Sequence, residues 1–216
     1  ASVGGELDAD GDLADEVANL VEAPQALLGG FDPAFLSLPS EVLVAVMKKH
    51  QRYFPVRKAS GELLPHFIAV RNGGAEGLDS IRAGNEHVLR ARFADAEFFL
   101  RKDQAQPLAF YRNQLGRLTF HARLGSMLDK AERLDSLTPH IAADVGLTGS
   151  ETKTAQRAGS LCKADLATAM VAEMTSLQGV MGRIYAQRSG EPPAAAQAIY
   201  EHYLPRFSGD SLPESP

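Results

Sequence analysis

VMKKHQRYFPVRKASGELLPHFIAVRNGG, residues 46–74, holds two runs of strand-forming residues in a chain whose apolar positions otherwise recur at helical spacing. RYFPV (52–56) and HFIAV (66–70) are rich in aromatic and β-branched side chains, and Ala59-Ser60-Gly61 between them is turn material. Together they predict a β-hairpin. Pro55 has no N–H to donate to a ladder, so its strand belongs at an edge or a bulge. Asn72-Gly73-Gly74 closes the unit. One hairpin among helices makes the expected fold class α+β.

Upstream, Leu13, Val17, Leu20 and Val21 recur at three and four residues, which predicts a short amphipathic helix stopped by Pro24. Gly29-Gly30 reads as a turn. Asp32 and Pro33 read as the N-cap and first position of a short helical turn through Leu36. Pro39 and Ser40 introduce a helix that should bury Val42, Leu43, Val46 and Met47 and end on Lys48 and Lys49, whose charge suits a helix C-terminus.

From Gly77 onward no strand is expected. Asn85–Arg101 should place Val88, Leu89, Phe93, Ala96 and Phe99 near one face. Further helices begin at Pro107, with an interruption at Gly116, and run along Leu124, Met127, Leu128, Ala131 and Leu134, from Leu161 to Met174, and from Ala194 to Tyr203. The expected organisation is a disordered or cut end (1–12), an α+β body with the hairpin (13–117), an all-α module (118–206) and a polar, disordered tail (207–216).

The chain of 216 residues is 44% hydrophobic, enough to bury a sizeable core. No apolar run approaches the roughly 20 residues that span a bilayer, and the first residues lack the apolar stretch of a signal peptide. A single cysteine, Cys162, excludes an internally disulfide-bonded scaffold and fits a reducing cytosol. It reads as a small buried hydrophobe.

The net charge of −5 hides an asymmetry. Residues 1–44 contain nine acids and no Lys or Arg, whereas residues 45–135 contain sixteen basic and ten acidic side chains. A local surplus of cations is where an anionic polymer docks, because neutralised phosphates release counterions. MKKHQRYFPVR (47–57) concentrates four Lys and Arg with a histidine and two aromatics; cations suit phosphates, and rings suit unpaired bases. Core packing is the commoner role for rings such as Tyr53 and Phe54. In GNEHVLRARFADAEFF (84–99), Arg90 and Arg92 diverge by about 200° on a helix, so they cannot clamp one group together. Asp95 and Glu97 stand at spacings that permit ion pairs with them.

Catalytic signatures are missing: there is no phosphate loop ending in Lys-Ser or Lys-Thr, no HExxH, no CxxC and no Gly-x-Ser-x-Gly elbow. Asp8, Asp10 and Asp12 have the spacing that opens a calcium loop, but the later Gly and Glu are not at the required offsets. His121, Asp129, His140, Asp144 and Asp165 invite comparison with metal phosphohydrolases, which use an adjacent His-Asp pair; none occurs. No catalytic, metal or cofactor residue is therefore expected in this chain.

LPSEVLVAVMKKHQRYFPV, LLPHFIAVRNG, GNEHVLRARFADAEFF, LGSMLDKAERL, KADLATAMVAEMTSLQGVMGRIYA and AIYEHYLPR, in this order, resemble successive blocks of the bacterial glycyl-tRNA synthetase β subunit family. The resemblance covers about Val21 to Arg206, and that family's chain is much longer. It implies that glycine activation, with its ATP and Mg²⁺, belongs to a separate α subunit, in a cytoplasmic hetero-oligomer of two α and two β chains. The β chain is then expected to handle tRNA(Gly) and stabilise the assembly. It also implies that the helical module, beginning near Leu118, is HD-like with its metal ligands lost, Lys163-Ala164-Asp165 standing where an active enzyme has His-Asp. Expected phosphate contacts are Lys48, Lys49, Arg52, Arg71, Arg90 and Arg92, with His50 and Tyr53 as base contacts. The rival readings are a working metal-dependent phosphohydrolase and a docking scaffold that never touches RNA.

Overall fold

A computed structural model describes residues 3–7 and 10–215, so Asp8 of the aspartate run lies outside the described residues. The chain divides into two compact units, residues 1–98 and 99–216.

The first unit is built on a four-stranded antiparallel sheet in the order β1-β3-β4-β2: β1 (Glu6–Leu7), β2 (Pro24–Gly30), β3 (Phe54–Arg57) and β4 (Leu63–Asn72). Helix α1 (Gly11–Ala18) lies between β1 and β2 and buries Leu13 and Val17. A 3₁₀ turn (Pro33–Ser37), helix α2 (Ser40–Ala45) and a π turn (Val46–His50) connect β2 to β3. Helix α3 (Leu78–Asp103) comes after β4.

The expected hairpin forms as β3 and β4, joined by a turn in which Gly61 adopts φ +87°. Pro55 lies at an irregularity: the register shifts between Pro55 and Arg57, and among the described residues β1 pairs with Val56 and Arg57.

The Gly29-Gly30 turn is a correction. Both glycines belong to β2, opposite Phe67 and His66 of β4. A Cβ at Gly29 would overlap the Phe67 ring, so the glycine makes room for an aromatic from the next strand rather than for a bend. β2 is an edge strand, and α3 covers its outer rim. Arg82 Nε donates to the Leu28 carbonyl at 2.9 Å, and Glu86 Oε1 accepts from the Gly30 N–H at 2.8 Å. Side chains thus occupy backbone groups that would otherwise template another strand.

Phe67, Leu43, Met47, Leu89 and Phe93 form the heart of this unit, each with essentially no exposed surface. Phe31 meets Phe93 edge-on at 5.0 Å between centroids, and Phe35 tilts against it at 5.4 Å. The buried positions of α3 are Leu89, Phe93, Ala96, Leu100 and Asp103, a four-three alternation. Val88, expected on that face, is 41% exposed, and Leu100 takes the place expected for Phe99.

The second unit is mainly helical: α4 (Leu108–Gln114), α5 (Met127–Asp144), α6 (Gly149–Leu161), α7 (Ala169–Glu173), α8 (Val180–Arg188) and α9 (Pro193–Glu201), with 3₁₀ turns between several of them. Two expectations fail here. An all-α module is interrupted by a small hairpin, β5 (Thr119–His121) with β6 (Gly125–Ser126), too short to show alternation in sequence. The single helix from Leu161 to Met174 is broken after α6, where Asp165 and Thr168 redirect the chain: the Thr168 N–H bonds the Asp165 carbonyl, and the Thr168 hydroxyl caps α7 at Val171. Capping boxes start α5, with Ser126 and Asp129, and α6, with Thr148 and Glu151.

The division at Phe98/Phe99 falls inside α3, ahead of the boundary expected at 117/118. The last turn of α3 belongs to the helical unit because the Asp103 carboxylate accepts from the N–H groups of Ala169 and Met170. The tail expected to be disordered has no regular structure, but Arg206 pairs with Asp210 at 2.8 Å and Ser215 bonds Glu201.

Gly29→Ala is expected to cost about 1–3 kcal/mol in denaturant unfolding, as overpacking does. The cost should shrink in a Phe67→Leu background; equal costs in both backgrounds would show that Phe67 is not what the glycine accommodates.

Candidate nucleic-acid interface

The basic segment is shaped by the way α2 ends. At Val46 the helix widens into a π turn, and the chain then passes through Arg52 at φ +54°, a left-handed conformation that glycine normally supplies. The Arg52 N–H donates to the Lys48 carbonyl at 3.1 Å and the Tyr53 N–H to the Met47 carbonyl at 2.9 Å. These bonds close the helix end, with one residue more than the usual closure because of the π turn. Left-handed backbone costs a residue with a Cβ about 1–2 kcal/mol. The two hydrogen bonds and the burial of Tyr53 hold it in place.

The consequence is a turn whose sides differ. Met47 and Tyr53 point into the core, while Lys49, His50 and Arg52 are exposed and Lys48 is half-buried. Lys48 Nζ lies 2.9 Å from Asp10, and Arg52 Nε lies 2.6 Å from Glu16. Lys49 and His50 reach solvent without a partner among the described residues. The other expected sites lie elsewhere. Arg71 donates to the Glu76 carbonyl at 2.8 Å, and Arg90 and Arg92 project from the exposed side of α3.

Tyr53, expected against a base, is only 7% exposed. Its ring stacks on Phe67 with centroids 4.6 Å apart and planes 15° apart, and burial raises its phenol above the ordinary value. The ring is a core element of the turn and has no face open to a base. Asp10 and Glu16 were not among the expected site residues. The available signal was the acid-rich, Lys- and Arg-free stretch they belong to, but nothing local tells which acid meets which cation.

The carboxylates and imidazoles considered for a metal serve other purposes. Asp129 caps α5, His121 accepts from the Arg123 N–H at 3.1 Å, and the His140 ring bonds the Ser136 carbonyl at 3.0 Å. Asp165 is fully buried and accepts from the Gly179 N–H at 2.6 Å and the Gly182 N–H at 3.2 Å. Burial pushes its pKa up to about 6, against the pull of those two N–H groups. Lys163 Nζ meets His202 Nε2 at 2.7 Å, and His202 Nδ1 meets the Ile199 carbonyl at 2.6 Å. A carbonyl only accepts, so Nδ1 carries the proton and Nε2 accepts from the ammonium. Among the described residues no group of three or more His, Cys, Asp or Glu is placed to hold a metal ion.

The site is thus a left-handed turn on an α+β unit that presents Lys49, His50 and Arg52 to solvent. Over residues 1–216 the chain matches the family model described as glycyl-tRNA synthetase beta subunit, and it belongs to that family. It is 50% identical over 206 residues to the glycine–tRNA ligase beta subunit of Halalkalibacterium halodurans, covering 95% of this chain and 30% of that one. The corresponding figures are 51% over 212 residues for Desulforamulus reducens (98% and 30%) and 50% over 214 residues for Clostridioides difficile (99% and 31%). The chain thus spans roughly three tenths of the length of these relatives.

Two outcomes are expected. Arg52→Gly should be more stable than Arg52→Ala by about 1–2 kcal/mol in denaturant unfolding, since only glycine is at ease at this φ; equal stabilities would mean a right-handed residue 52. At Asp165, the folded state holds a proton between about pH 4 and 6 that the unfolded state has lost, so stability falls as pH rises through that window. Asp165→Asn should flatten this fall of about 2–3 kcal/mol. An unchanged pH profile in calorimetry would rule the linkage out.

Proposed function

We propose that this chain is a tRNA-handling part of the β subunit of a two-subunit glycine–tRNA ligase, contacting the RNA backbone through the basic turn and α3. The observation that carries this reading is the turn itself. Its backbone holds a costly left-handed arginine, buries the neighbouring aromatic and turns Lys49, His50 and Arg52 outward. Lys49, Arg52, Arg90 and Arg92 are the phosphate contacts, with Lys48 and Arg71 flanking them, and His50 is the exposed group that can reach a base edge. Glycine activation, with ATP and Mg²⁺, lies in the partner α subunit, and two chains of each kind make up the cytoplasmic enzyme. The helical unit, as an HD-like module without metal ligands, serves as a surface.

A second reading has one observation in its favour. Leu137 and Ile141 on α5 and Val145 at its C-cap, spaced one turn apart, are each more than half exposed, which suits a docking scaffold.

The test is tRNA binding by the complete α/β enzyme at several salt concentrations. Replacing Lys49, Arg90 and Arg92 together by Ala should weaken binding across tRNA sequences and lower the salt slope by about 0.7–0.9 for each phosphate no longer neutralised. Glycine-dependent ATP–pyrophosphate exchange should persist. Unchanged affinity and slope would leave the docking reading.

A further inference from the structure

The four ionisable side chains of the turn do not face solvent alone. Two of its three permanent cations meet carboxylates from α1 and its cap: Lys48 meets Asp10, and Arg52 meets Glu16. These carboxylates are held in place. Leu13 and Val17 bury the opposite face of α1, and Asp10 is fixed from both sides, one oxygen accepting from the Leu13 N–H at 2.9 Å while the other meets Lys48. The Leu13 N–H and the Lys48 ammonium both hold the Asp10 carboxyl below its usual range, so it is ionised wherever the turn meets an anion.

The electrostatic effect is local. Lys48, Lys49 and Arg52 would present three positive charges, and Asp10 and Glu16 bring that down to one. A cation already matched by a carboxylate draws fewer counterions and has fewer to release when a phosphate arrives. The exposed Arg52–Glu16 pair adds little to stability, since surface pairs contribute about 0–1 kcal/mol. Its consequence lies at the binding surface.

We propose that Asp10 and Glu16 are specificity-determining residues: α1 is a built-in carboxylate competitor that lowers the affinity of the basic turn for unselected polyanions. The inference rests on the RNA-contact reading and adds to it. A tRNA positioned by other parts of the enzyme keeps its contacts through Lys49, Arg90 and Arg92 and can displace the carboxylates locally. A loose single strand has only the charge of the turn to gain from, and α1 has already engaged most of it.

The geometry provides a clean test, because Asn is as good an N-cap as Asp. Asp10→Asn keeps the cap on α1 and removes the charge, and Glu16→Gln keeps the shape of an exposed side chain. In the complete α/β enzyme, the double variant should bind a single-stranded polyuridylate on the order of tenfold more tightly at about 0.15 M salt, with a salt slope steeper by about 0.7–0.9 for each cation released. Binding of tRNA(Gly) should gain less, so the ratio of the two affinities falls. Equal gains for both ligands, or no gain for polyuridylate, would overturn the proposal. Should the double variant melt early, Glu16→Gln alone carries the test, with about half the effect on a logarithmic scale. Lys49→Ala, measured alongside, separates the two ideas. If it weakens tRNA binding while the carboxylate variants change nothing, only the competitor role fails; if it too changes nothing, the RNA-contact reading fails with it.

Discussion

Tyr53 lies flat on Phe67, and Phe67 fills the space above Gly29, so one aromatic stack ties β2, β4 and the entry to β3 together. The stack also dictates the shape of the basic turn. Met47 and Tyr53 must both reach the core, yet the residues between them carry two lysines, a histidine and an arginine that cannot accompany them. An ordinary helix end does not satisfy both demands in so few residues. A π turn and one left-handed residue do, and the cations are turned outward as a result.

How much of this was legible depends on whether the deciding contact is local. RYFPV and HFIAV are rich in aromatic and β-branched residues and are bounded by turn residues, so β3 and β4 can be read directly. PQALLGG does not look like a strand, because its glycines answer to Phe67, far along the chain. The helical stripe of α3 was legible to within one position. The break between α6 and α7 was not, since it is closed by the Thr168 N–H on the Asp165 carbonyl and by the Thr168 hydroxyl capping α7 at Val171. At the site, the cluster of cations was plain in sequence. Their partners Asp10 and Glu16, and the burial of Tyr53, belong to the tertiary structure.

The helical unit shows why titratable residues in a sequence are a poor guide to chemistry. Asp103 is almost fully buried, and its carboxylate accepts from the Ala169 and Met170 N–H groups at 2.8 Å each and from the Tyr185 hydroxyl at 2.9 Å. Burial, then the neighbouring Asp103, drives the Tyr185 phenol far above its ordinary value. Asp165 likewise takes up the N–H groups of Gly179 and Gly182 at the start of α8. Each acid satisfies orphan N–H groups at the head of a helix, where a negative charge is favoured. Removing either would leave buried donors unpaired, at roughly 1–3 kcal/mol each. Both carboxylates are thus committed to backbone, whatever chemistry their residue type suggests.

The choice of arginine at position 52 connects strain to charge. Glycine would adopt the left-handed φ without cost, so stability alone does not account for a side chain there. The guanidinium does not recover that cost through Glu16, because an exposed pair with both side chains about half accessible contributes little. What arginine adds is a fixed, permanently charged fork beside Lys49 and His50, on a backbone too constrained to move it away. On the RNA-contact reading proposed above, an arginine at this φ, paired weakly within the fold and directed outward, is a charge presented for binding. The same reasoning applies to Glu16, whose weak pair has its largest consequence in restraining that charge rather than in holding α1, which Leu13 and Val17 already anchor.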